Sequence, residues 1–216
     1  MEQFAVLTGD IVKSTALPRA ELDATMDAIH RAAVDISGWN GRNTTGFARR
    51  GGDGWQIVTQ AHEYALRASL YIQASIRSRA KDRATRISVA LGDGPLPKSV
   101  VVNPNYGFNP AFIASGRRLD QLTGNALFAH AALGTTGAAF RLADHIAQGW
   151  TPPQALALKE ALPPGPKRLQ KEIGMKLGIS RQAVGQALSA AGFDAIHTAL
   201  TLIEDEETRS KDIAPC

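Results

Sequence analysis

Residues 170–188 read QKEIGMKLGISRQAVGQAL, with apolar residues recurring at helical spacing. These are Ile173, Leu177, Ile179, Val184 and Leu188. Gly178 can adopt the positive φ that ends a helix, and the Ser180 hydroxyl can cap the helix that follows. The stretch therefore predicts two short helices that pack around a tight turn.

The second of these predicted helices carries side chains suited to DNA. Arg181, Gln182 and Gln186 can reach base edges next to the Ser180 cap, and nearby cations can contact phosphates. Those cations are Lys167, Arg168, Lys171 and Lys176. The pattern predicts a helix-turn-helix that binds double-stranded DNA. An ordinary antiparallel helix pair, or a pair that contacts only protein, is the alternative. Gly174 stands where such first helices usually carry Ala, and Gly weakens a helix by roughly 1 kcal/mol.

The composition is that of a globular protein. The chain has 216 residues, a net charge of +4 and 44% hydrophobic residues, which suits one large or two modest domains. Cys216 is the only cysteine, so an intramolecular disulfide is excluded. The sequence begins without a signal peptide and has no long apolar stretch, so we expect a soluble, cytoplasmic protein that does not enter membranes.

The first part of the chain alternates predicted strands and helices. The apolar run at 4–8 predicts a buried strand in the centre of a sheet. Further strands are expected at 86–91 and 126–128, a hairpin at 47–58, and helices after Pro18 and at 61–78 and 111–122. This order predicts an α+β fold with a split β-α-β, ferredoxin-like arrangement, in which an antiparallel sheet carries its helices on one face.

A composition change near Gln148 marks the predicted domain boundary. Thr151 can cap a helix that begins at Pro152, and a final helix is expected over 193–206. We therefore predict an α+β domain at 1–148, a small all-α helix-turn-helix domain at 149–208, and a flexible tail at 209–216.

Two carboxylates stand at the predicted ends of neighbouring strands. Asp10 follows the first strand and Asp53 lies at the hairpin tip. Two oxygen ligands close together suit Mg²⁺ or Mn²⁺ when nucleotide phosphates complete the coordination. Both residues could equally be turn formers, because Gly-Asp and Asp-Gly are common in turns.

Residues 9–15 (GDIVKST) and 51–56 (GGDGWQ) resemble the two metal-site motifs of class III nucleotide cyclases. Residues 86–92 (RISVALG) and 114–119 (ASGRRL) extend this likeness, which covers about residues 4–122. The resemblance implies a cyclase-like domain in which Asp10, Asp53 and the Ile11 carbonyl bind the metal ions. It also implies that Arg118, as a catalytic residue, steadies the polyphosphate across a homodimer interface.

The sequence departs from the cyclase pattern at three positions, and the first is Gly107, which stands near the place of that family's base-selecting Asp. Ala114 stands where that family has its transition-state Asn, and Arg49 where it has a base-selecting Lys. Loss of a positioned donor typically costs two to three orders of magnitude in rate, so efficient adenylate cyclisation is not expected. Arg49, Arg50, Arg117 and Arg118 can still contact the phosphates of a bound nucleotide, or can be solvated residues.

The whole chain resembles the SatD-like family, which joins a cyclase-like domain to a C-terminal helix-turn-helix. The likeness rests on residues 150–154 (WTPPQ), 170–173 (QKEI), 177–184 (LGISRQAV) and 191–193 (AGF). It implies an architecture rather than a reaction. Our leading hypothesis is a dimeric DNA-binding transcription regulator whose first domain binds a nucleotide. The alternative is a metal-dependent nucleotidyl cyclase, a phosphorus-oxygen lyase.

Overall fold

The computed structural model describes residues 2–39, 41 and 45–212, which form an α+β structure. Its strands are β1 (Gln3–Ile11), β2 (Thr45–Arg50), β3 (Gly54–Thr59), β4 (Thr85–Asp93) and β5 (Phe128–His130). Its helices are α1 (Arg19–Ser37), α2 (Ala65–Arg77), α3 (Lys98–Val102), α4 (Pro110–Asp120), α5 (Thr135–Gln148), α6 (Pro152–Ala161), α7 (Gln170–Leu177), α8 (Arg181–Ala190) and α9 (Phe193–Asp212). Cys216 lies outside the described residues.

The strands form one mixed sheet in the order β2-β3-β1-β4-β5. The first four strands pair antiparallel, with β1 in the centre as the apolar run of residues 4–8 predicts. The expectation of a wholly antiparallel sheet is wrong at its edge, because β5 pairs parallel to β4. The last strand also lies two residues later than predicted. The backbone N–H of Leu127 instead donates to the buried carboxylate of Asp144, at 3.0 Å.

Helices cover both faces of this sheet, so the prediction that they share one face is wrong. Ala5 and Leu7 of β1 point into a core that α1 and α2 complete. Phe4 and Val6 point the other way, into a second core with Phe112 of α4. The apolar side chains of β1 are buried on both faces because alternate residues of a strand face opposite sides.

The helices that follow the sheet pack onto α2 rather than standing apart from it. The core beneath α1 and α2 continues without a break through Trp150, Leu158 and Leu162 to Leu200 of α9. Trp150 is 2% exposed, and its indole Nε1 donates to the carbonyl of Ala191 at 3.0 Å. The predicted boundary near Gln148 thus falls inside a shared hydrophobic core, and the division into two domains stays a prediction.

The termini of the C-terminal helices largely follow the sequence pattern. The α6 helix begins at Pro152, and the side chain of Gln154 accepts a hydrogen bond from the backbone N–H of Thr151 at 2.8 Å. The last helix begins at Phe193 as predicted but runs to Asp212, so residues 209–212 are helical. Within the described part of the chain, no helix has both the length and the apolar character needed to cross a bilayer.

Candidate functional sites

The α7–α8 pair has the tight turn that the sequence predicts. Gly178 ends α7 with φ 68°, and the Ser180 hydroxyl oxygen accepts a hydrogen bond from the backbone N–H of Ala183 at 3.1 Å. Ile173, Val184 and Leu188 are buried between the helices, and Leu177 is partly buried. Ile179 was expected in this core, but its side chain is 43% exposed.

Gly174 allows the two helices to approach closely. A Cβ atom at this position would stand 2.7 Å from the carbonyl oxygen of Ile179. The backbone N–H of Ile179 in turn donates to the carbonyl of Gly174 at 3.0 Å. The glycine that costs helix propensity is therefore the residue that fits this contact.

The outer face of α8 is open to solvent and polar. Arg181, Gln182 and Gln186 are all exposed. Beside them, residues of the α6–α7 connection and α7 enclose a concavity of about 510 Å³ with Arg181. Four cations line it, namely Lys167, Arg168, Lys171 and Arg181. A concave cationic surface beside exposed amide side chains suits a phosphate backbone and its neighbouring base edges.

Three of the predicted phosphate-binding cations already hold acidic partners. Lys167 pairs with Asp194 at 2.8 Å, and Glu160 accepts from both Arg168, at 3.0 Å, and Lys176, at 2.7 Å. Glu160 is 8% exposed, whereas the cations keep about half of their side-chain surface in solvent. Lys171 and Arg181 have no ion pair among the residues that the structure describes, so they are the cations most available to an external anion.

The second candidate site lies at the end of the sheet that carries Asp10. Asp10 falls within β1 rather than after it, directly opposite Arg86 of β4. Arg86 donates from Nε to one carboxylate oxygen of Asp10, at 2.8 Å, and from Nη2 to the other. The hydrogen bond that Arg86 donates to Asp10 is the main cause that raises the pKa of the Arg86 guanidinium above its ordinary value. The two side chains therefore form a two-point ion pair, and each is the partner of the other.

Asp53 lies at the tip of the β2–β3 hairpin, as predicted. Its backbone carbonyl accepts from the backbone N–H of Ile11 at 3.2 Å, and its carboxylate accepts from the Ser14 hydroxyl. The fold thus brings the two predicted metal-binding segments together. The residues do not fit a divalent metal centre, because Arg86 occupies both oxygens of Asp10. In the described ranges, no three His, Cys, Asp or Glu side chains form a group that could hold a metal ion.

The arginines predicted to contact nucleotide phosphates lie in two separate places. The Arg49 guanidinium binds the carbonyl of Gly52 and the carboxylate of Asp23 on α1, both at 2.8 Å, and Arg50 is exposed. Arg117 and Arg118 lie on α4, across the sheet from α1. None of the four lines the cavity described next, and their role with phosphates stays a prediction.

A cavity of about 540 Å³ opens beside the Asp53 tip. Its wall includes three cations, Lys13, Arg77 and Arg86. The sequence pattern places Arg77 only near the end of a predicted helix and Arg86 only in a predicted strand. No local pattern marks either residue, because the cavity forms from segments that are distant in sequence.

Searches of protein-family models and of curated proteins returned no match to this chain.

Proposed function

We propose that this protein is a DNA-binding transcription regulator that reads double-stranded DNA with α8. The observation that carries the proposal is the geometry of the Ser180-capped helix, whose exposed Arg181, Gln182 and Gln186 stand beside a cationic concavity. The first residues of a recognition helix contact base edges in such motifs, while neighbouring cations hold the phosphates. A DNA partner also agrees with a cytoplasmic location.

The experiment is fluorescence anisotropy of a labelled duplex from the region upstream of the gene, titrated with the full chain at two salt concentrations. We expect tighter binding to this duplex than to a scrambled duplex of equal length, and weaker binding at higher salt. Arg181→Ala should lose about 1–3 kcal/mol more on the upstream duplex than on the scrambled duplex, because a base contact discriminates between sequences.

The neighbouring cation Lys171 should behave differently. Lys171→Ala should weaken binding to both duplexes and make the salt dependence shallower, because a phosphate contact carries no sequence information. Arg31→Ala removes an exposed arginine from α1 and serves as the matched control. Unchanged affinity in the Arg181 variant would show that α8 does not read DNA.

We further propose that the regulator is a homodimer. One helix-turn-helix reads few base pairs, and a two-fold pair reads two half-sites. Exposed apolar residues cluster around α3 and α4, with Val102 81% exposed and Phe108 89% exposed. Phe108 also borders an apolar cavity of about 660 Å³ that reaches Phe4 and Phe112. The exposed Phe108 ring and this cavity lie on the same surface, so the ring of each copy can enter the cavity of the other. A two-fold interface requires such self-complementarity.

We infer that residues 1–148 are the ferredoxin-like, cyclase-like module of a SatD-like protein and that this module binds a nucleotide. The C-terminal helices would then be its helix-turn-helix domain. The strand order β2-β3-β1-β4 and its antiparallel pairings support this inference. The cyclase alternative needs both carboxylates as ligands of Mg²⁺ or Mn²⁺. The Asp10–Arg86 pair does not support that use, so cyclase activity is not proposed.

A further inference from the structure

The cavity beside Asp53 carries an excess of positive charge. Lys13, Arg77 and Arg86 line it together with one carboxylate, that of Asp53. The second carboxylate of this region, Asp10, is already taken up by Arg86. The hydroxyls of Ser14 and Thr15 and the amides of Asn125 and Gln148 complete the polar part of the wall. The Ser14 hydroxyl donates to Asp53 and the Gln148 amide to Asp144, so the cations, the Thr15 hydroxyl and the Asn125 amide supply the donors that suit an oxyanion.

Arg77 is the most unusual member of this wall. It is the last residue of α2 and is 9% exposed, yet its Nε has no hydrogen-bond partner among the residues that the structure describes. One of its terminal nitrogens donates to the carbonyl of Lys81, which holds the guanidinium in place. Burial lowers the pKa of Arg77, although an arginine stays charged at neutral pH. A buried Nε–H group without an acceptor requires an explanation, because its desolvation is not offset by a hydrogen bond.

The Asp10–Arg86 pair favours a cavity that binds an anion directly over one that binds a metal ion. A metal ion would have to displace a guanidinium that binds both oxygens of Asp10. A phosphoryl group needs no such displacement, because Arg77 and Lys13 can donate to its oxygens directly while Arg86 keeps Asp10 as its partner. The volume of about 540 Å³ falls within the range usual for small-molecule sites.

We propose that this cavity binds the polyphosphate of a small-molecule ligand directly through Arg77 and Lys13, beside the Arg86–Asp10 pair and without a divalent metal. The inference deepens the nucleotide half of the proposed function and does not depend on DNA binding. Gln148 forms part of the wall and ends α5, one residue before the Gly149-Trp150 connection to α6. An occupied cavity therefore contacts the segment that leads into the C-terminal helices.

The test is isothermal titration calorimetry of the full chain with inorganic pyrophosphate in EDTA, repeated in excess Mg²⁺. We expect binding in EDTA that Mg²⁺ does not strengthen. Arg77→Met should weaken it at least tenfold, and Lys13→Gln, which changes an exposed side chain, several-fold. Lys98→Gln on α3 is the matched control and should bind like the parent. Thermal melting of each variant without ligand verifies folding, and the Lys13 variant keeps the test valid if Arg77→Met does not fold.

ATP forms the second arm of the same experiment. Binding of both ligands in EDTA assigns the cavity to nucleotide polyphosphates, and binding of pyrophosphate alone assigns it to an inorganic ion. Binding of neither ligand, binding only with Mg²⁺, or equal affinity in the Lys13 and Lys98 variants would overturn the proposal. Because no DNA is present, each of these results leaves the proposed DNA binding untouched.

Discussion

Arg67 of α2 and Glu204 of α9 form a two-point ion pair across 137 residues of sequence. The guanidinium Nε and Nη2 donate to the two carboxylate oxygens at 2.6 and 2.7 Å, and Nη1 donates to the carbonyl of Leu162 at 2.7 Å. The Arg67 side chain is 3% exposed. This contact ties the helix beneath the sheet to the last helix of the chain.

Glu204→Ala should therefore destabilise the protein strongly. It leaves the Arg67 charge buried without a partner, and such a loss costs about 3 kcal/mol in the free energy of unfolding. Urea denaturation followed by circular dichroism measures this cost, with Asp205→Ala on the exposed side of α9 as the control. The double change Arg67→Met with Glu204→Leu should recover most of the loss. Equal stability of the Glu204 and Asp205 variants would show that the ion pair contributes nothing.

Gly174→Ala should lower stability, although helix propensity alone favours Ala by roughly 1 kcal/mol. The new Cβ would meet the carbonyl oxygen of Ile179 at 2.7 Å, so the α7–α8 turn must shift. Gly116→Ala in α4 meets nothing within 4 Å and should raise stability by about 0.5–1 kcal/mol. Thermal denaturation of the two variants compares the same chemical change in two environments. A stabilised Gly174 variant would contradict the close approach.

Acidification should destabilise the fold through His130. This residue is 4% exposed, and burial lowers its pKa below the ordinary 6.5. Above pH 6.5 the ring is neutral in both folded and unfolded chains. As the pH falls below 6.5, the unfolded chain takes up a proton that the folded chain resists, so the free energy of unfolding declines.

His130→Asn should make this decline shallower, because Asn does not titrate and can keep the acceptor for the backbone N–H of Ala132. Denaturation midpoints measured between pH 8 and about pH 5.5 show the slope. His145→Asn replaces an exposed histidine on α5, and the slope of its denaturation midpoint against pH should equal that of the parent protein. An unchanged slope in the His130 variant would assign the acid sensitivity to other groups.

Phe108→Ser should convert the proposed dimer into a monomer. The substitution removes a ring that is 89% exposed in the single chain and that a partner copy would cover. Light scattering after size-exclusion chromatography gives the mass directly. Leu133→Ser, which changes another exposed apolar residue at 78% exposure, is the control and should stay dimeric. A parent protein that elutes as a monomer would refute the dimer itself.

The sequence predicted those parts of the structure that depend on local spacing. The α7–α8 turn follows from Gly178 and Ser180, and the hairpin from its glycines, because each is decided within a few residues. The apolar run of residues 4–8 also predicted a buried strand in the centre of the sheet, although the order of elements wrongly suggested that helices cover only one face. The Asp10–Arg86 pair could not be predicted, because it requires the register between β1 and β4.

The unbroken core from the sheet to α9 has a consequence for how the proposed regulator would choose its operator. Because one hydrophobic core joins α1 and α2 to α7, α8 and α9, the proposed regulator would hold its two recognition helices at a nearly constant separation. One inserted base pair would turn a half-site by about 34–36° around the duplex axis. The fold itself would then reject operators of altered spacing, even when both half-sites keep their bases.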